Sequence, residues 1–154
     1  MIIIDIKNQV LTYENDNTQK SYSISSAMNG PGQQKGSFCT PLGHHIIRAK
    51  IGNNLPKSAI FKGRRWTGGV YEANSFPLDD DLILTRILWL SGKEHGINRL
   101  GSVDTMQRYI YIHGTHDEEN IGNPVSHGCI RMRNDDIIEL FDLVSCGENV
   151  TIIE

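Results

Sequence analysis

Two short segments hold residue types that can do chemistry together, Ile112-His113-Gly114-Thr115 and Ser126-His127-Gly128-Cys129-Ile130-Arg131-Met132. A thiol is a useful nucleophile only as thiolate, and a free cysteine titrates at about 8.5, so an imidazole that takes its proton makes it reactive near neutral pH. Two imidazoles offer themselves. His127 lies two positions before Cys129 and shares its face if the segment is extended. His113 lies far enough upstream for a hairpin-like return to set it opposite the thiol. Gly114 and Gly128 lack a Cβ, which lets a substrate backbone approach and lets N–H groups turn toward a developing oxyanion. Arg131 follows closely enough to meet a substrate carboxylate with its planar fork.

The elements that must position these groups read as mainly β. Ile2–Ile6 and Val10–Glu14 alternate as strands around the polar turn Lys7-Asn8-Gln9, giving a hairpin, and Lys20–Ser25 gives a third strand. A Gly- and Pro-rich loop over 29–43 ends in Thr40-Pro41-Leu42-Gly43, and His44–Ile51 is again strand-like, with His44 and His45 facing opposite ways. From Gly52 to Pro77 the pattern breaks into loops and short strands. Part of it, Gly52–Arg65, is a candidate lid, with Trp66 and Tyr71 as candidate groove residues. The run Lys62-Gly63-Arg64-Arg65 reads as solvated loop. Asp79-Asp80-Asp81 precedes a branched, aromatic run, Leu82–Leu90, that is read as a strand. Arg108–Ile112 is a buried strand that delivers His113 at its end. Asn134 is expected to cap a helix over Asp135–Val144, whose Ile137, Leu140, Phe141 and Val144 recur at helical spacing, and Val150–Ile153 closes the chain as a strand.

The whole, residues 1–154, is expected to form a single mainly β domain, a bent sandwich or barrel-like sheet with one substantial helix near the C-terminus. With 15 basic against 18 acidic residues the net charge is −3, which offers no positive field for a nucleic acid. No segment reaches the ~20 apolar residues that cross a bilayer, so no membrane partner is expected. Three cysteines, Cys39, Cys129 and Cys146, make an odd count that suits a reducing compartment, with Cys146 read as structural. His116 reads as a loop residue ahead of the acids Asp117-Glu118-Glu119.

The Ser126–Met132 run, preceded by Ile112–Thr115 and followed by a helix, resembles the catalytic motif of the YkuD-type L,D-transpeptidases, and Thr40–Gly43 matches that family's T-P-x-G element. The resemblance implies that Cys129 attacks the L-centre carbonyl of the diamino acid at position three of a peptidoglycan stem peptide and expels D-alanine. It makes His113 the general base, lets His127 shape the pocket, and gives the oxyanion to the N–H groups of Gly128 and Cys129, with Ser126 and Arg131 beside the substrate. No metal or organic cofactor is implied. Some members carry serine after the base histidine. Gly114 stands there, so a backbone carbonyl would orient the imidazole. Some carry asparagine where this chain has Arg131.

The wall-synthesising members are exported or anchored, whereas Met1-Ile2-Ile3-Ile4 begins without a leader pattern. The expectation is therefore a cytoplasmic L,D-carboxypeptidase that trims murein tetrapeptides with water. A leader missing upstream would make it periplasmic and favour a transpeptidase forming 3-3 cross-links. Two other classes compete. One is a zinc hydrolase built on His113, His116, His127 and Cys129. The other is a peptidoglycan-binding module without turnover.

Overall fold

The computed structural model describes residues 1–77 and 80–154, so Asp79 of the acidic run lies outside the described residues. Ten strands are described: β1 Ile2–Asp5, β2 Val10–Glu14, β3 Gln19–Ser25, β4 Gly43–Ile51, β5 Ala59–Lys62, β6 Arg65–Val70, β7 Ile83–Gly92, β8 Tyr111–Gly114, β9 Ile130–Met132 and β10 Asn149–Ile153. The one α-helix among the described residues, α1, runs Asn134–Leu143 between β9 and β10. The strands form one sheet in the order β4-β10-β1-β2-β3-β9-β8-β7-β5-β6, and an added β4–β7 pairing closes it into a barrel from which the β5–β6 hairpin projects. No described helix is long and apolar enough to cross a membrane.

Alternation along the strands divides the apolar residues between two cores. Ile2, Ile4, Leu11, Ile24, Leu88, Leu90, Ile112, Ile130 and Met132 face the main core, where α1 adds Ile137, Leu140 and Phe141. The opposite face of β7, β8 and β5 gathers Ile87, Tyr111, Ala59 and Phe61 into a smaller core against which Cys129 packs. Strand β7 is covered on both faces, which is why Leu84–Leu88 are all buried and why its sequence reads as a near-continuous apolar run.

Two sequence expectations shift. The strand expected over Arg108–Ile112 begins later, at Tyr111. The stretch before it is a turn in which the Asp104 carbonyl accepts the Arg108 N–H at 3.0 Å and Tyr109 adopts φ 57°. Asn134 is the first helical residue rather than the cap. Arg133 occupies the cap position in extended conformation, with no side-chain cap bond. The Asn134 amide turns inward instead, donating to the Thr115 carbonyl at 2.8 Å and accepting from the Thr85 hydroxyl. Thr85 sits at a bulge in β7 with φ 75°, a costly conformation for a β-branched residue, and the Asn134 contact helps hold it there.

Candidate active site

Strands β8 and β9 are adjacent and parallel, with Ile112 opposite Ile130 and His113 opposite Arg131. Because Ile112, Ile130 and Met132 point into the main core, the residues that alternate with them, Tyr111, His113, Cys129 and Arg131, share the other face. Cys129 is one register step before the ladder begins, so His113 is its diagonal neighbour across the strand pair. Parallel pairing of two separate segments, and not the hairpin-like return expected from the sequence, thus brings the histidine and the thiol to one face.

The His113 ring is fully buried, and its Nδ1 lies 2.6 Å from the Gly114 carbonyl. A carbonyl only accepts, so Nδ1 carries the proton and Nε2 presents a lone pair. That Nε2 is buried without a hydrogen-bond partner among the described residues, a costly vacancy in a packed interior. Burial lowers the His113 pKa below the ordinary imidazole value, opposed by the Gly114 contact and the nearby Asp81. The imidazole is therefore neutral at rest.

Cys129 is partly exposed. Its sulfur accepts the Tyr111 N–H at 3.3 Å and donates to the Tyr109 carbonyl at 3.4 Å. Packing around the sulfur pushes the thiol up to about 12, with the Tyr111 N–H working the other way. The resting pair is thus a neutral thiol and a neutral imidazole, so proton transfer has to accompany attack. The thiol opens onto a cavity of about 470 Å³ bordered by Phe38, Gly63, Arg64, Asp81, Ile83, Tyr109, Tyr111 and His127. A second cavity of about 580 Å³, lined by Ile60, Phe61, Thr67, Phe76 and Leu82, shares Gly63, Asp81 and Ile83 with the first.

Gly128 has φ 131°, a conformation that leads the chain from Ser126 into the Cys129 bend and favours glycine. The bend is fixed from two sides. The Thr40 hydroxyl donates to the Gly128 carbonyl at 2.9 Å and accepts the Ala27 N–H at 3.0 Å, which gives the threonine of Thr40–Gly43 a structural task. The Ser126 hydroxyl donates to the Cys129 carbonyl at 2.6 Å.

Several expectations are corrected here. The Gly128 N–H is not available for an oxyanion, because it donates to Ser126 Oγ at 3.1 Å, whereas the Cys129 N–H makes no hydrogen bond among the described residues. Ser126 is buried and staples backbone rather than facing a substrate. Gly114 is not a site of substrate approach: a Cβ there would collide with Asn134 Oδ1 and lie 2.8 Å from the Leu84 carbonyl. Arg131 is buried, and its Nη2 is paired with Asp81 Oδ1 at 2.9 Å, so it does not offer an open fork. Residues His127 and Cys129 sit in a bend rather than in an extended run. His127 lines the thiol cavity, with its ring edge-on to Phe38 and its Nδ1 3.5 Å from Asp81 Oδ2.

The zinc alternative finds no support in the geometry. His116 turns its Nε2 to the Pro77 carbonyl at 3.0 Å and packs against Tyr71, and no group of three or more ligand types converges among the described residues. Of the expected lid, the hairpin tip at Gly63-Arg64 overhangs the thiol cavity. Trp66 is exposed and bonded to the Gly69 carbonyl, while Tyr71 packs on Phe76 and His116, so neither lines that cavity. Cys146 is exposed rather than structural.

Two residues at the site escaped the sequence reading. Asp81, read only as part of an acidic run, bridges Arg131 and His127. Burial would raise its pKa, but the attraction of the His113 imidazole whenever that ring is protonated, together with the hydrogen bond and charge of Arg131, prevails and holds it below the usual carboxylate value. Arg64, read as solvated loop, sits over the rings of Trp89 and Tyr109 at 4.9 and 4.7 Å and donates to the Tyr111 hydroxyl at 3.0 Å. An arginine at a two-residue hairpin tip was the available signal.

Fold and site together define a closed β-barrel domain that presents a cysteine beside a histidine of fixed tautomer. A family model, the L,D-transpeptidase catalytic domain YkuD, matches residues 1–152, and the chain belongs to that family. It is 55% identical over 47 residues to the probable L,D-transpeptidase ErfK/SrfK of Salmonella typhimurium, a stretch covering 30% of this chain and 15% of that protein. It is 49% identical over 47 residues to the probable L,D-transpeptidase YbiS of Escherichia coli K12, with the same 30% and 15% coverage. The matched stretches span between 13% and 25% of these and other curated relatives.

Among solved structures, L,D-transpeptidase 3 of Mycobacterium tuberculosis bearing a faropenem-derived adduct aligns with TM-score 0.61 and 16% identity, covering 99% of this chain and 59% of that one. An L,D-transpeptidase of Mycobacterium smegmatis aligns with TM-score 0.57 and 20% identity, covering 99% and 58%. These likenesses establish the shared fold.

Proposed function

We propose that the protein is a cysteine acyl-transfer enzyme acting on the stem peptide of peptidoglycan, with water as the final acceptor, that is, an L,D-carboxypeptidase. The observation that carries the acyl-transfer reading is the His113 tautomer. Its Nδ1–H is committed to the Gly114 carbonyl, and its unpartnered Nε2 lies on the face that bears Cys129.

In the first step Sγ of Cys129 bonds to the L-centre carbonyl carbon of the third stem residue while its proton passes to His113 Nε2. The carbonyl oxygen gains charge that the Cys129 N–H can meet. Collapse breaks the C–N bond, His113 returns the proton to the departing D-alanine nitrogen, and a thioester remains. Water then attacks the thioester with His113 again taking a proton, releasing the tripeptide and restoring the thiol.

Water, the smaller acceptor, needs no docking surface beyond the cavity at the thiol. Transpeptidation is the second reading. It is favoured by the two cavities that meet at Asp81, which leave room for a second peptide, and by the names that the relatives carry.

The test is incubation with murein tetrapeptide, with and without an acceptor stem bearing a free amine. Release of D-alanine and tripeptide alone supports the hydrolase. Cross-linked product, with no tripeptide in the absence of acceptor, refutes it in favour of the transpeptidase.

A further inference from the structure

Three arginines approach the thiol from different elements, and they are spent differently. Arg131 is buried and paired with Asp81. Arg108 gives Nη1 to the carbonyls of Gly32 and Gln33 and Nη2 to the Cys39 carbonyl and Ser37 Oγ, at 2.7 to 3.4 Å. Arg64 alone keeps donors in hand without being buried: among the described residues only its Nη1 is engaged, at the Tyr111 hydroxyl, whereas the unpartnered Nε of Arg131 is sealed from solvent.

The backbone places Arg64 at some cost. Lys62 pairs with Arg65 across the hairpin, so Gly63 and Arg64 form a two-residue turn, with φ 55° and 63°. Such a turn prefers asparagine or glycine at both positions, and a long side chain in this left-handed conformation is uncommon. What the arginine gains there is a seat. Its guanidinium lies over Trp89 and Tyr109, and the same Tyr109 and Tyr111 hold the Cys129 sulfur through a carbonyl and an N–H. A guanidinium seated over aromatic rings in this way keeps N–H groups that can still meet a carboxylate.

We propose that Arg64 docks the free carboxylate of the donor peptide's terminal D-residue and so makes the enzyme select a chain end. The inference rests on the stem-peptide reading of Cys129 given above. The carboxyl carbon of that residue lies two bonds beyond the scissile nitrogen, within the cavity that Arg64 and Cys129 both line. The stacked guanidinium thus does two things at once: it holds the hairpin tip over the groove and reads the charge of the leaving group.

The experiment compares a tetrapeptide ending in free D-alanine with its C-terminal carboxamide, by the kcat/KM for release of D-alanine or D-alaninamide. The wild type should prefer the acid by about tenfold or more, the scale of a charge-assisted hydrogen bond. Arg64→Gln should bring the acid-to-amide ratio toward one, and Arg64→Lys should keep part of it. A wild type that cleaves acid and amide equally well overturns the docking role and leaves the acyl-transfer reading standing. An Arg64→Gln variant that loses both substrates in equal proportion also overturns it, because a hairpin latch alone would do that. Absence of release from either peptide, while iodoacetamide still modifies Cys129, overturns the stem-peptide reading and the docking role with it.

Discussion

Alkylation of Cys129 by a small neutral electrophile should be slow at neutral pH and should accelerate as the pH rises. Burial pushes the thiol up to about 12 and the His113 pKa down, and both shifts work against a resting thiolate–imidazolium pair. At pH 7 a thiol with that pKa is ionised to roughly one part in 10⁵, against about 3% for an unperturbed cysteine. The greater nucleophilicity of a more basic thiolate returns about one and a half of those orders, which leaves a deficit of roughly 100-fold. The measurement is peptide-resolved mass spectrometry of iodoacetamide labelling from pH 6 to 10, against a cysteine-containing reference peptide, with the exposed Cys146 reporting reagent access. Cys129 should lag the reference at pH 7 and still be gaining about tenfold per unit at the alkaline end. A Cys129 rate that exceeds the reference at pH 7 and is flat with pH would refute the reasoning, since only a thiolate already formed at rest behaves that way.

Three further outcomes are expected. Thr40→Val keeps the shape but leaves the Gly128 carbonyl and Ala27 N–H without the hydroxyl, and should cost about 1–3 kcal/mol in urea unfolding while loosening the Cys129 bend. Gly114→Ala drives a Cβ into Asn134 and the Leu84 carbonyl; a loss of about 1–3 kcal/mol is expected, with D-alanine release falling further because the carbonyl that orients His113 moves. Burial pushes the His45 pKa down to about 4, so below pH 6.5 the unfolded chain binds a proton that the folded chain refuses. Stability present above that pH should therefore fall by up to about 3 kcal/mol as the pH drops toward 4, a component that a His45→Gln variant should lack when unfolding is compared at pH 7 and 4.5.

What the sequence disclosed and what it hid follow from how local each signal is. The β1–β2 hairpin, α1 and β10 were legible because alternation or helical spacing over a few neighbours decides them. His113 and Cys129 were singled out by residue type; the parallel β8–β9 register sets them on one face, while the sulfur bonds Tyr109 and Tyr111 and not the imidazole. Asn134 misled because its type and place match a cap, whereas its amide is claimed by Thr115 and Thr85, which are distant in sequence. The Gly128 N–H misled likewise, since nothing local shows that Ser126 Oγ takes it. Arg64 and Asp81 read as ordinary surface charge because their partners, the aromatic pair Trp89 and Tyr109 and the buried Arg131, come from other strands. Groups joined only by tertiary contacts leave no periodicity to read.

Intact-mass and peptide-mapping analysis of the protein quenched during reaction with murein tetrapeptide tests the central claim most directly. A tripeptidyl thioester on Cys129, formed with loss of D-alanine and absent from Cys129→Ala, is the predicted result. D-alanine release that survives Cys129→Ala, or an adduct that maps to Cys39 or Cys146, would contradict the account.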